Sequence, residues 1–449
     1  MTVYTRRIVD DELDAYRGQI AAVAIEGPKA VGKTATALER AATVFRLDQA
    51  EQRALMANGP AVWATAPSPI LFDEWQRWPA VWDAVRRDVD DGAPPDRFLL
   101  TGSALPPLDD PGATPHSGAG RILSVRMRPL SLAERGLGPT TVSLATLLAG
   151  DRPPIDGRTT LDVRDYTREI VSSGFPAIRP LGSRARGAQL DAYLHRVVDR
   201  DFQEAGHLVR RPQALRRWLR AYAAASATVT THEKIRAAAQ VGEGEEGATP
   251  VSRTGGSPSH VTARQYREVL ERLWLLDPVE GWAPTFNRLV RVQQLPRHHL
   301  ADPALAARLL GVDEAELLRG RQSPLFDGSM PVTGRWRPRD GTLLGQLFES
   351  LVTQSVRVYA QHGEARVGHL RMHDGRHEID LIVERADGRV VAIEVKLAQV
   401  VDDDDVRHLQ WLRQQLGDDV LDLVVITTGG QAYRRTDGVA VVPAGLLGA

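Results

Sequence analysis

Apolar runs and helical periodicities alternate along this chain. Ala21 to Ile25 is a short apolar run, a Gly-rich loop follows, and Leu38, Ala41, Ala42 and Phe45 then recur at helical spacing, which predicts strand, loop and helix. Further apolar runs at Pro69 to Phe72, Phe98 to Leu100 and Ile122 to Met127 are separated by helical or loop stretches. That order predicts an α/β domain, a parallel sheet with helices on its faces. Pro106 to Gly120 and Gly150 to Arg158, rich in Pro, Gly and Asp, read as loops, the second as a domain boundary.

Helical periodicity dominates from Asp165 to Tyr222. Thr231 to Ala239 and Val261 to Leu276 read as two helices of a helix-turn-helix or winged-helix unit, with Tyr266, Leu270 and Leu273 on the buried face. Between them, Val241 to Pro258 is a Gly-, Glu- and Ser-rich insertion expected to be a loop. A helix near Leu343 to Ala360 then precedes strand-like runs at Ala365 to Met372, Glu378 to Glu384 and Val390 to Leu397. Asp387-Gly388 supplies a hairpin turn between the last two. A helix (Val406 to Leu416) and a strand (Leu421 to Thr427) complete a second α/β domain.

With 449 residues, three units are expected: 1–150, 151–340 and 341–449. No apolar run approaches the roughly 20 residues that span a bilayer, and the N-terminus is polar, so a soluble cytoplasmic protein with no membrane partner is expected. The absence of cysteine excludes thiolate metal sites and a cysteine nucleophile. A net charge of -1 excludes a globally basic polyanion binder and leaves local patches. Residues 208–292 carry 13 Lys or Arg against 8 Asp or Glu, including Arg210, Arg211, Arg216, Arg217 and Arg220. Nucleic-acid contact and a solvated arginine-rich helix face both account for that run.

Only four of the 56 basic residues are lysine: Lys29, Lys33, Lys234 and Lys396. Arginine replaces lysine wherever a delocalised guanidinium will serve, so the surviving lysines mark places that need a compact ammonium. Lys33 lies in Gly27-Pro28-Lys29-Ala30-Val31-Gly32-Lys33-Thr34, a GxxxxGK[ST] phosphate-binding loop between a predicted strand and helix. Backbone N–H groups and a helix N-terminus would cradle the triphosphate of ATP, Lys33 would reach its β and γ phosphates, and Thr34 would ligate Mg²⁺. Phe72 ends an apolar strand, and Asp73-Glu74 follows at its carboxyl end as a Walker B pair. Asp73 would hold the magnesium shell while Glu74 polarises the attacking water. Ser103, in Thr101-Gly102-Ser103 after the next strand, is placed to sense the γ-phosphate, though a plain turn explains it as well. Arg121 has two readings, a surface arginine or an arginine finger acting on a neighbouring subunit of a homo-oligomer.

In the last domain Asp380 lies on one predicted strand and Glu394-Val395-Lys396 on the next. Strand period two puts Glu394 and Lys396 on one face. With Glu349 from the preceding helix, they form a carboxylate and ammonium set that suits Mg²⁺ or Mn²⁺, Asp380 and Glu394 being the metal ligands, and phosphodiester cleavage. A nuclease-like fold retained as a scaffold accounts for the same residues. The run Asp402 to Asp405 is most simply a solvated helix start.

The chain resembles bacterial and archaeal AAA-type ATPases that carry a C-terminal domain of unknown function related to PD-(D/E)xK nucleases. The resemblance rests on Gly27 to Thr34, Phe72 to Gln76, Leu100 to Ser103, Gly120-Arg121, Arg128 to Ser131, Gly174 to Pro176, Arg200-Asp201, Ala301 to Pro303, Phe348-Glu349, Glu378 to Asp380 and Glu394 to Lys396. It implies an AAA-type core, a helical, winged-helix-like middle and a restriction-endonuclease-like end. The expected function is ATP hydrolysis coupled to a C-terminal module that binds nucleic acid, DNA being the expected partner, with cleavage left open. The alternative is a nucleotide-dependent switch whose nuclease-like domain is inert and binds protein or DNA.

Overall fold

A computed structural model describes residues 4–103, 118–207, 209–239, 258–284, 294–319, 343–372 and 376–449. The insertion expected at 241–258 lies outside the described residues except for Pro258, and so does most of the loop expected at 106–120. No helix among the described residues is long and apolar enough to cross a membrane.

Five parallel strands, β1 (Ala22–Glu26), β2 (Thr43–Arg46), β3 (Ile70–Asp73), β4 (Phe98–Gly102) and β5 (Ile122–Arg126), form a sheet in the order β2-β3-β4-β1-β5. Alternate side chains serve opposite faces: Ala22, Ala24, Ile70, Phe72, Phe98 and Leu100 pack with Trp63, Trp75 and Trp82, whereas Val23, Ile25, Leu71, Leu99 and Val125 join the main core. Burial on both faces is why these strands read as continuous apolar runs. One expectation needs correction. The helix after the Gly-rich loop ends at Leu38, and Phe45 belongs to β2, where it stacks on Phe72 with centroids 5.6 Å apart. β-Branched Thr43 and Val44 favour the pleated edge over another helical turn.

The segment near residue 150 is a crossover into the C-terminal domain. Within it, β6 (Val142–Ser143) and β7 (Gly157–Arg158) flank the helix Leu144–Ala149. The C-terminal strands are β8 (Arg366–Arg371), β9 (Glu378–Glu384), β10 (Val390–Val395), β11 (Val420–Thr427), β12 (Gln431–Arg434), β13 (Ala440–Pro443) and β14 (Leu447–Gly448). Their seven-stranded mixed sheet runs β7-β12-β13-β11-β10-β9-β8, and β6 pairs with β14. β9 and β10 are antiparallel across the Asp387-Gly388 turn, where Gly388 has φ +87°. The helix Asp403–Leu416 covers one face through Val406, Leu409 and Leu412, and the helix Leu343–His362 covers the other. Asp402 caps the former by accepting from the Asp405 N–H, the helix-start role read for that acidic run.

Between the two sheets lie the helices Val163–Ser172, Ser183–Arg196, Pro212–Ala224, His232–Ala238, His260–Arg272 and Pro303–Leu310. Tyr266, Leu270 and Leu273 are buried, as the periodicity predicts. A ribbon bridged at Leu276–Leu300 and Val279–Arg297 follows, and a Gly281–His369 bridge ties it to β8. Three of the five clustered arginines are engaged within the chain: Arg216 with Asp199, Arg217 with the Ala239 carbonyl and Arg220 with the Leu309 carbonyl.

Asp277, on the ribbon, joins all three units. Its carboxylate meets Arg126 of β5 at 2.9 Å, Arg128 at 2.8 Å and Arg357 of the helix Leu343–His362 at 2.9 Å. Burial opposes its charge, but the three guanidiniums outweigh that effect and hold the carboxyl well below the usual range. One anion among three cations leaves positive charge in excess, and Arg126, chiefly through burial, is pulled down to about 9. Asp277→Asn should therefore cost about 3–5 kcal/mol, because it strands buried guanidiniums, and a denaturant titration read by tryptophan fluorescence measures it. Acid acts in the same direction: for a depressed carboxyl the contribution is full above the unfolded value of about 3.9 and is lost as pH falls through the folded value.

Candidate nucleotide site and C-terminal carboxylate cluster

The loop Gly27 to Gly32 leaves the carboxyl end of β1 and opens the helix Lys33–Leu38. Two glycines make the turn possible. Gly27 has φ +151°, and a Cβ there would lie 2.2 Å from the Met127 carbonyl oxygen; Gly32 caps the helix at φ +108°. Val31 is fully buried, and its carbonyl accepts from Arg7, which also pairs with Glu134 at 2.9 Å. The loop is thus anchored from behind.

Lys33 is 5% exposed, and its Nζ donates to the carbonyls of Gly27 and Pro28, both at 2.9 Å. Burial pushes its pKa down to about 8 against the opposing pull of Glu74 and Asp73. An anionic phosphate beside it would act in the opposite direction and favour the charged ammonium. Asp73, at the end of β3, accepts from the hydroxyls of Thr34 and Thr101, both at 2.6 Å and both on Oδ1. Thr101 in turn accepts from the Glu74 N–H at 3.3 Å. Glu74 adopts the left-handed region at φ +58°, where its carboxylate accepts from Gln76 at 2.5 Å and lies 3.5 Å from the Ser103 hydroxyl. Lys33, Thr34, Asp73, Glu74 and Ser103 therefore converge on one corner of the sheet. The donor set fits Mg²⁺ with a triphosphate: a hydroxyl and a carboxylate already share a hydrogen bond, and an ammonium is held on loop carbonyls.

Lys29 looks away from this corner. Its Nζ contacts Asp201 at 2.6 Å and Glu204 at 3.1 Å, and Arg77 reaches Glu204 at 2.9 Å. Burial opposes the charge of Lys29, but the two carboxylates outweigh it and raise the pKa; Asp201 is itself raised, by burial. A side chain of the nucleotide loop is thereby fastened to the middle unit, a role that the motif alone did not reveal.

Arg121 stands elsewhere. It precedes β5, whose first residue Ile122 pairs with Ala22, so it lies at the amino end of the sheet, about 16 Å of strand away from the loop. Its Nε pairs with Asp90 at 2.8 Å, and the side chain is 45% exposed.

In the C-terminal domain, Glu349, Asp380, Glu394 and Lys396 do come together, with Glu378 beside them. Lys396 Nζ is 3.6 Å from Glu394, and the Asp380 Oδ2 accepts from the Val395 N–H at 2.9 Å. The centre of the group is occupied by a residue that the sequence reading missed. Arg297, 2% exposed, pairs with Asp380 at 2.8 Å and also with Glu349 and Glu378. Burial raises Glu349 to about 8 and Glu394 well above its usual range, whereas Arg297 and Lys396 overcome burial at Asp380 and lower it. Among the described residues no group of three or more His, Asp or Glu is arranged to hold a metal ion. The expectation of Mg²⁺ or Mn²⁺ on Asp380 and Glu394 thus meets a physical obstacle: Asp380 is already paired with the Arg297 guanidinium and Glu394 with the Lys396 ammonium. Charge patterning could not have flagged Arg297, which lies 52 residues or more from every carboxylate that it contacts.

Residues 19–135 match the AAA domain family, and residues 163–316 and 344–447 each match a domain of unknown function, DUF8612 and DUF4143. The uncharacterized proteins Rv2008c of Mycobacterium tuberculosis and Mb2031c of Mycobacterium bovis are both 25% identical over 434 residues, which cover 94% of this chain and 80% of theirs. Among solved structures, the Walker-type ATPase PABY2304 of Pyrococcus abyssi is similar at 15% identity with a TM-score of 0.39, covering 68% of this chain and 96% of that one. The N-terminal unit, an α/β fold around a parallel sheet, accordingly carries the match to the AAA domain family.

Proposed function

We propose that this protein is an ATP-hydrolysing switch whose nucleotide state governs a C-terminal module that binds a partner, DNA being the chemistry to test first, without metal-dependent cleavage. The observation that carries the ATPase reading is the closed set of Lys33, Thr34, Asp73, Thr101 and Glu74 at the carboxyl ends of the strands. When bound, Mg²⁺ would neutralise phosphate charge, with Thr34 and Asp73 as its protein ligands. Lys33 would bind the phosphates, and Glu74 would hold and polarise the attacking water, its carboxylate kept in place by Gln76. The choice of an inert module over the nuclease reading follows from Arg297, whose cationic head lies among the carboxylates that a nuclease would give to metal.

Three measurements test this reading. ATP hydrolysis with and without single- and double-stranded DNA, with the DNA followed on a gel, separates the classes. Altered turnover with intact DNA supports the switch, cut DNA restores the nuclease, and indifference to DNA points to a protein partner. Lys33→Ala should abolish ATP binding. Glu74→Gln should retain it while lowering turnover by about 10²-fold or more, as loss of a general base does; unchanged turnover in either variant would sink the site assignment.

Arg121 can serve the same reaction only in a neighbouring subunit, because it lies at the far end of its own sheet. Turnover per chain should then rise with protein concentration, and Arg121→Ala should lose turnover while still binding ATP. A fully active monomer removes this role.

A further inference from the structure

We propose that Arg297 is a built-in substitute for a divalent cation, so that the C-terminal carboxylate cluster excludes metal for as long as the ribbon carrying Arg297 stays seated. This rests on the reading of the C-terminal module as nuclease-like but inert, and it supplies the cause of the inertness.

The geometry carries the inference. One guanidinium reaches three carboxylates from two elements: NH1 contacts Glu349 of the helix Leu343–His362 and Asp380 of β9, and NH2 contacts Glu378 at the start of β9. Gathering monodentate carboxylate oxygens from separate elements is what a hard divalent ion does in such a site. A planar guanidinium does the same with one charge and directed N–H bonds. The buried Nε of Arg297 has no acceptor among the described residues, so its contacts to protein are carried by the two terminal nitrogens on the carboxylates. Glu394 and Lys396 complete the cluster from β10. A metal ion on these carboxylates would sit beside the guanidinium, and the repulsion between two cations in a buried site opposes its entry.

Arg297 does not belong to the C-terminal domain by sequence. It comes from the ribbon, where its N–H and C=O exchange bonds with Val279 at 2.8 and 2.9 Å. Two residues before Val279 stands Asp277, clamped by Arg126 and Arg128 of the ATPase domain. The plug and the clamp are thus parts of one ribbon. Whatever shifts the ATPase domain against the ribbon bears on the guanidinium as well.

The test is a calorimetric titration of the nucleotide-free full chain with Mn²⁺ alone. Wild type should show no uptake that depends on Asp380. Arg297→Gln should gain one Mn²⁺ per chain, about ten-fold or more tighter than any wild-type binding. Adding Asp380→Asn should remove the gain, and Arg297→Lys, which keeps a cation in place, should stay metal-free. Wild-type uptake abolished by Asp380→Asn overturns the proposal, as does a folded Arg297→Gln chain that gains nothing. Thermal melting of Asp380→Asn decides the matter even where Arg297→Gln fails to fold. Loss of a partner of a buried guanidinium lowers the melting temperature, whereas relief of repulsion at an open metal site raises it. ATP binding measured on the same samples keeps the outcomes apart, since failure at the P-loop leaves the manganese titrations unchanged and the reverse also holds.

Discussion

The arrangement of the whole molecule depends on one buried carboxylate shared by three guanidiniums. Asp277 belongs to the ribbon of the middle unit, Arg126 and Arg128 to the end of the ATPase sheet, and Arg357 to the helix under the C-terminal sheet. No two of these units can slide past each other without exposing an unpaired charge to a low-dielectric interior. That cost is several kcal/mol per ion, which makes the joint stiff rather than compliant. Trp274 adds to it, with its ring 4.5 Å from the Arg126 guanidinium.

What the sequence made legible is what it encodes locally. The phosphate loop, the acidic strand end and the β9–β10 hairpin are each contained within a few residues, so spacing and period suffice to place them. The strands β6, β7, β12, β13 and β14 went unread because each is only two to four residues long, and β6 and β7 pair with partners about 305 and 273 residues distant. The same holds for Arg297 and Lys29. Each is an ordinary cation until folding brings carboxylates from other units to it. Lys396 and Lys33 were legible for the opposite reason, since each sits inside its own motif in a chain that otherwise uses arginine.

The arginine bias itself has structural consequences. Arg7, Arg135 and Arg297 are buried, and each binds a carboxylate together with a carbonyl or a second carboxylate: Arg7 takes Glu134, Val31 and Arg128, and Arg135 takes Glu169 and Leu130. A rigid fork with five donors can satisfy such mixed acceptors at once, whereas an ammonium on a flexible stem cannot hold them in one plane. Several residues that carry the family resemblance turn out to be joints of this kind. Asp302 accepts from Ser173 and the Gly174 N–H while capping its own helix, and Gly174 lies where a Cβ would stand 2.9 Å from the Leu130 carbonyl oxygen. Their arrangement serves packing between units, and only the P-loop and strand-end residues meet the nucleotide corner.

The coupling proposed between the nucleotide and the C-terminal domain would run through two sets of contacts. One runs through Lys29, whose backbone belongs to the phosphate loop and whose ammonium is held by Asp201 and Glu204 of the middle unit. Any change of loop shape on phosphate binding must either carry those carboxylates along or break a partly buried pair. The other runs from β1 to its neighbour β5, whose last residue, Arg126, holds Asp277. The second set reaches the ribbon that seats Arg297, and the first reaches the middle unit through Asp201 and Glu204. Differential contact in two nucleotide states is the requirement for a ligand to shift an equilibrium, and a shift can be no larger than that difference. On the proposed reading a triphosphate would act on Lys33 directly and on Lys29 through the loop, the two lysines that the arginine-rich composition retained there.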